Sequence, residues 1–121
     1  MKTIWYLATP YSKYPGGPDA AFVFASMQLG LFVQARIPAF SPIVHTHPVA
    51  KYCAIDGDSA NSIWTDADAH FIDMCGGMIV IHGTSWELSI GIQRERNEFL
   101  KQGKPVLEME PYIIPPALFG V

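Results

Sequence analysis

Ser89, Gly91 and Glu95 fall within the segment SIGIQRE, spaced so that a single helix can carry all three beside one small ligand. A helix from about Leu88 to Gln102 aligns Leu88, Ile92 and Phe99 on one apolar stripe, and Glu95 occupies that stripe where Leu or Ile is expected. Neither Gly91, four residues before it, nor Phe99, four after, neutralises the carboxylate, whereas Glu98 has Arg94 at ion-pair spacing. A carboxylate turned toward a core must be paired, protonated or lining a cavity. Helical side chains lean toward the N-terminus, so Glu95 points over the turn containing Gly91, where a missing side chain leaves room. Ser89 sits at the helix start, where free backbone N–H groups and the positive dipole end favour an anion. A phosphate and a sugar carbon fit that separation. The same spacing also fits a packing glycine and a Glu95 paired with a distant Arg or Lys.

The elements that must position these residues follow from the pattern of the 121-residue chain. TIWYLA (Thr3 to Ala8), IPAFSPI, MIVI (Met78 to Ile81) and PVLEM read as strands. Prolines put the second near an edge, and the unbroken apolar run of the third makes it central. Asp19 is a candidate N-cap for AAFVFASMQLGLFVQAR, apolar nearly all round and expected to be well buried. VHTHPVAKYCAIDGDSAN reads as a loop with a short helix. Asn61 or Ser62 can cap IWTDADAHFIDMC, whose stripe is Ile63, Ala67, Phe71 and Met74. Gly103 suits the end of the Glu95 helix.

Alternating strands and helices predict a single three-layer α/β domain with a mainly parallel sheet of four to five strands, flavodoxin-like or Rossmann-like. Ligands in such sheets bind beyond the carboxyl ends of the strands, here the loops starting at Thr9, Val44 and Gly83. The tail PYIIPPALFGV is expected to pack on the body or on a second subunit.

Half of the residues are hydrophobic and 16% are charged, with a net charge of -3, which argues against a binder of polymeric nucleic acid. No apolar stretch approaches the roughly 20 residues that span a bilayer, so no membrane partner is expected. Cys53 and Cys75 form no CxxC unit, and without a secretion signal they read as reduced thiols of a cytoplasmic protein. No GxGxxG follows the first strand, so no dinucleotide cofactor, and no other cofactor, is expected. His45 and His47 alternate in HTH, but no third ligand is marked by spacing, and pocket-lining loop histidines are preferred to a metal site.

SIGIQRE, with CGGMIVI before it and GKPV after it, resembles the nucleoside 2-deoxyribosyltransferase superfamily, which includes the nucleoside 5′-monophosphate N-glycosidases. The resemblance runs from Tyr6 to Val106 on short motifs, YLA-P-YS at the start among them. It implies a small-molecule nucleoside or nucleotide substrate, cleavage of an N-glycosidic bond by hydrolysis or deoxyribosyl transfer, and a homodimer or higher homo-oligomer. Glu95 takes the nucleophile's place, and Ser89 and Gly91 those of the residues that hold the sugar or its 5′ group. Asp66, nine residues before Cys75-Gly76, takes the base-contacting aspartate's place, and Tyr6 that of a tyrosine near the sugar. The phosphate-specific members carry Ser and Arg where this chain has Pro10 and Ser12, a departure that leaves the need for a 5′-phosphate open. That changed loop also fits a nucleotide-binding module that senses without cleaving.

Three further expectations concern side chains near these motifs. Asp68 and Asp73 share a helix with Asp66, and Asp68 is expected to face water. Trp86 either stacks on the ligand or plugs the strand–helix turn. Tyr11 and Ser12 lie in the first loop, within reach of a ligand.

Overall fold

The computed structural model describes residues 2–53 and 59–119. Its four strands are β1 (Trp5–Ala8), β2 (Ala39–Phe40), β3 (Gly77–Ile81) and β4 (Val106–Met109), and its four α-helices are α1 (Pro18–Gln34), α2 (Pro42–Ala50), α3 (Ser59–Met74) and α4 (Ile90–Lys101). All strand pairs are parallel, in the order β2-β1-β3-β4. The expected three-layer α/β fold with a parallel sheet is present, and two-residue β2 is the edge strand foreseen from its prolines.

Alternation along the strands builds the two halves of the core. Tyr6, Ala8, Met78 and Val80 face Ile72 of α3 and Ile92 and Phe99 of α4. Leu7, Ile79 and Ile81 face Phe24 and Phe32 of α1. Helices therefore cover both faces, and the chain order reverses between β1 and β3, the place where doubly wound sheets leave a crevice. Gly83, just beyond β3, permits a close approach there: a Cβ would stand 2.6 Å from the Phe24 ring.

Several local expectations are corrected. Gly17, not Asp19, is the N-cap residue of α1, with no side-chain cap; Pro18 opens the helix and Asp19 lies in its first turn. That helix is not buried all round, because Val23, Met27 and Val33 are exposed. Ser41 caps α2 by accepting from Val44 N–H at 3.2 Å, so the connection after β2 begins at Ser41 rather than at Val44, which is helical. HTH lies inside α2, not in an extended loop. Asn61 and Ser62 lie inside α3, which begins at Ser59. Part of the stretch expected to be irregular, residues 54–58, lies outside the described residues.

The C-terminal segment packs on the body: Tyr112 N–H donates to the buried Gln28 Oε1 at 2.9 Å, and Ile114 and Leu118 join the α1 half of the core. At the end of α4, Gly103 takes a left-handed φ of 71°, and Lys104 N–H returns to the Phe99 carbonyl at 3.0 Å. Lys104 Nζ then donates to the carbonyls of Ile72 and Asp73 at 2.9 and 3.1 Å, tying α4 to the carboxyl end of α3.

Candidate functional site

Glu95 is buried, 8% exposed, on the same face of α4 as Ile92 and Phe99. Burying those two apolar side chains stabilises the helix by roughly 1.5–3 kcal/mol each, enough to carry one poorly solvated carboxyl into the interior. Leu88 does not share the stripe, since it ends a 3₁₀ turn (Trp86–Leu88) before α4 and stays exposed. The Tyr6 hydroxyl, fully buried on β1, donates a hydrogen bond to Glu95 Oε2. Burial pushes the Glu95 carboxyl up to about 7; the Tyr6 bond opposes that rise, Asp68 adds to it, and Arg94 opposes it. Burial and the adjacent Glu95 hold the Tyr6 phenol far above its ordinary value, so it remains a donor.

Two adjoining cavities meet at this carboxyl. One, of about 240 Å³, lies between α3 and α4; the other, of about 430 Å³, extends to the first loop and α2, and Asp68, Arg94 and Glu95 line both. The larger is within the size range of small-molecule sites. Ser89 is the N-cap of α4 and accepts from Ile92 N–H at 3.1 Å, so the helix start opens on this cleft as expected. Gly91 also lines it, and a Cβ there would meet only Ser89 Oγ, at 3.8 Å. The glycine is therefore not required for packing against protein, and its open side belongs to the cleft.

Tyr11 and Ser12 line the cleft. Tyr6 lines neither cavity; it is fully buried, with its hydroxyl on Glu95. Trp86 is outside both cavities, stacked face to face on His82 with centroids 3.9 Å apart, and so plugs the turn. Asp66 is exposed and outside both cavities; Asp68, expected to face water, is the α3 carboxylate that lines both, and Asp73 lines the smaller. Two residues are about 200° apart on a helix, so the two aspartates exchange places when the inward face is reassigned. That face is set by Phe71, Ile72 and Cys75 against the sheet, while Ile63 and Met74 of the expected stripe are exposed.

Other site residues escaped the sequence reading. Arg94, assigned there to a surface pair with Glu98, lines both cavities. Burial raises the Asp68 carboxyl, opposed by Arg94 and His45. Thr9, 5% exposed, and Thr46 have buried hydroxyls without a hydrogen-bond partner, as does Asp68 Oδ1, and all three residues line the larger cleft. Buried polar atoms without a partner are uncommon in native interiors, and Ser26 Oγ and Gln28 Nε2, outside both cavities, are in the same state. Of the two histidines expected to line the pocket, His47 does so from α2, whereas His45 packs against Phe40 and Phe71. Among the described residues no group of three or more His, Cys, Asp or Glu side chains is placed to hold a metal ion.

Residues 3–111 match the family model described as Domain of unknown function (DUF1937), and the chain belongs to that family. No curated protein matches it.

Proposed function

We propose that this member of the DUF1937 family cleaves the N-glycosidic bond of a nucleoside or nucleotide, with Glu95 as nucleophile and either water or a second base as acceptor. The observation that carries the reading is the buried Glu95 carboxyl, oriented by Tyr6 and opening on a cleft of ligand size beside a helix N-terminus. A carboxyl buried on a core stripe costs stability, and groups perturbed in this way cluster at functional sites.

In the first step a Glu95 oxygen bonds to C1′ as the C1′–N bond breaks, and the base leaves with a proton. Asp68 takes over the role expected of Asp66. Its carboxyl shares the cavities with Glu95, and in the productive arrangement Asp68 holds the proton given to the base while Tyr6 donates to the charged Glu95. In the second step the acceptor bonds to C1′ and Glu95 departs as carboxylate. The hydroxyls of Ser12 and Ser89 offer the sugar partners, with no lysine among the cleft residues.

The reading includes a cytoplasmic setting and a homo-oligomer; no described helix is long and apolar enough to cross a membrane. Exposed Val23, Met27 and Ile113 on α1 and the C-terminal segment are compatible with a second copy, and sedimentation at micromolar concentration checks it.

The test is incubation with ribo- and deoxynucleosides and their 5′-monophosphates, read as free base released. Release by wild type and none by Glu95→Gln is expected. Ligand binding without release would leave a sensing module instead.

A further inference from the structure

Besides Glu95 and Asp68, the larger cleft contains a connected set of groups that the glycosidic step does not use. The Tyr11 hydroxyl is 2.8 Å from His47 Nδ1, and His47 Nε2 is 2.8 Å from Asp19 Oδ1. The imidazole is held by Phe22, stacked at 4.9 Å, and by the edge of Tyr11 at 5.8 Å. Three separate segments, the first loop, the first turn of α1 and α2, thus converge on one chain of hydrogen bonds. Tyr11 and His47 line the cleft, while the Asp19 side chain is 97% exposed. One end therefore touches the ligand site and the other touches solvent.

We propose that Tyr11 is the general base that activates the acceptor water in the second half-reaction, with His47 and Asp19 as positioning residues that carry its proton to solvent. The inference rests on the reading of Glu95 as a nucleophile that forms a glycosyl ester.

The polarity of the chain follows from its ends. Asp19 accepts, so His47 donates from Nε2 and Nδ1 accepts from the Tyr11 hydroxyl. The oxygen of Tyr11, a residue of the cleft lining, is then left with lone pairs only, suited to receiving a proton. A water held in such a place needs two to four polar partners. Tyr11 supplies one, and the other polar side chains that line the same cleft supply the rest. Burial and the charge of Asp19 raise the Tyr11 phenol.

In the step itself the water oxygen bonds to C1′ as the C1′–O bond to Glu95 breaks, and the electron pair returns to the Glu95 carboxylate. The water's proton passes to the Tyr11 oxygen while Tyr11's own proton moves to His47 Nδ1. The imidazolium is held by Asp19, and the excess proton leaves at that exposed end. The division of labour is that of an Asp–His pair behind a hydroxyl.

The experiment compares wild type, Tyr11→Phe, His47→Gln and Glu95→Gln on the substrate found in the base-release screen. A rapid-mixing assay follows the first turnover and the steady state, and intact-mass measurement follows the protein. For both relay variants the burst of one base per protein is expected to survive, the steady-state rate to fall about 10²-fold or more, and a sugar adduct to accumulate on Glu95. Azide, which attacks without a general base, restores turnover of Tyr11→Phe and gives the glycosyl azide. A purely structural role for Tyr11 would not produce that rescue.

If wild type releases base, Glu95→Gln does not and both relay variants turn over normally, the relay alone is wrong. Loss of the burst together with the steady state, without azide rescue, also overturns it. Absence of base release by wild type removes the Glu95 reading and the relay with it. Should Tyr11→Phe fail to fold, His47→Gln and Asp19→Asn carry the same burst-against-steady-state comparison.

Discussion

At the scale of single residues, Glu95 trades stability for reactivity. Its carboxyl titrates near 7 in the folded protein against an ordinary value of 4.5, a shift equivalent to roughly 3 kcal/mol. The raised value means that the folded state binds the proton more tightly than the unfolded chain. Stability from this group is thus fully present below about 4.5 and is lost as pH rises to about 7. Glu95→Gln keeps an acceptor for Tyr6 and removes the charge. It should therefore be more stable than wild type at pH 8, by on the order of 1–3 kcal/mol. The gain should vanish at pH 4.5, and denaturant titration at the two pH values checks this. Tyr6→Phe removes a donor that favours the charged carboxylate, so the acid limb of kcat/KM should move to higher pH. A pH–rate profile whose acid limb stays in place would show that Tyr6 does not tune Glu95.

At the scale of elements, α4 was legible because a charged residue stood on an otherwise apolar period, and the α3 face was not. Ile63, Ala67, Phe71 and Met74 form a regular stripe, yet a few apolar residues on a surface are ordinary and two of these are exposed. A rotation of about 100° per residue lets Phe71, Ile72 and Cys75 define the buried face instead, and that choice is made by the sheet. Asp68→Asn should consequently lower base release by about 10²-fold or more, whereas Asp66→Asn should leave it unchanged. Equal losses in the two variants would contradict the observed face of α3. Of the two histidines expected to line the pocket only His47 does, because alternate residues share a direction in a strand but diverge in a helix, and HTH is helical. In α4, Gly91→Ala separates packing from binding. The new methyl meets no protein atom closer than 3.8 Å. Helix propensity predicts a gain of up to about 1 kcal/mol, seen as a higher Tm, while KM rises because the methyl occupies the cleft.

At the scale of the whole molecule, strand order decides where the site is. The sequence shows four strands alternating with helices, and the parallel order β2-β1-β3-β4 then opens a crevice between β1 and β3 by placing α1 on one face and α3 and α4 on the other. Thr9 after β1, Pro42 and Ile43 after β2 and Ser89 ahead of α4 line the cleft there, so the expected loops after β1 and β3 were placed correctly and the one after β2 begins earlier. Non-local contacts remained out of reach of the sequence: the Tyr6–Glu95 bond and the Tyr11–His47–Asp19 chain join residues far apart along it. Because the cleft is built from α2, α3, α4 and the first loop together, a ligand bound there should stabilise the whole fold. At a hundred times Kd the expected gain is about 2.7 kcal/mol, or a few degrees in Tm, measurable by thermal shift and reduced in Gly91→Ala at the same ligand concentration.

The most direct test of the central claim is the release of free base from nucleosides and nucleoside 5′-monophosphates, followed by chromatography for wild type and Glu95→Gln side by side. The account predicts base from wild type with at least one substrate and none above background from Glu95→Gln. Equal release by the two proteins, or none by wild type from any substrate, would contradict it.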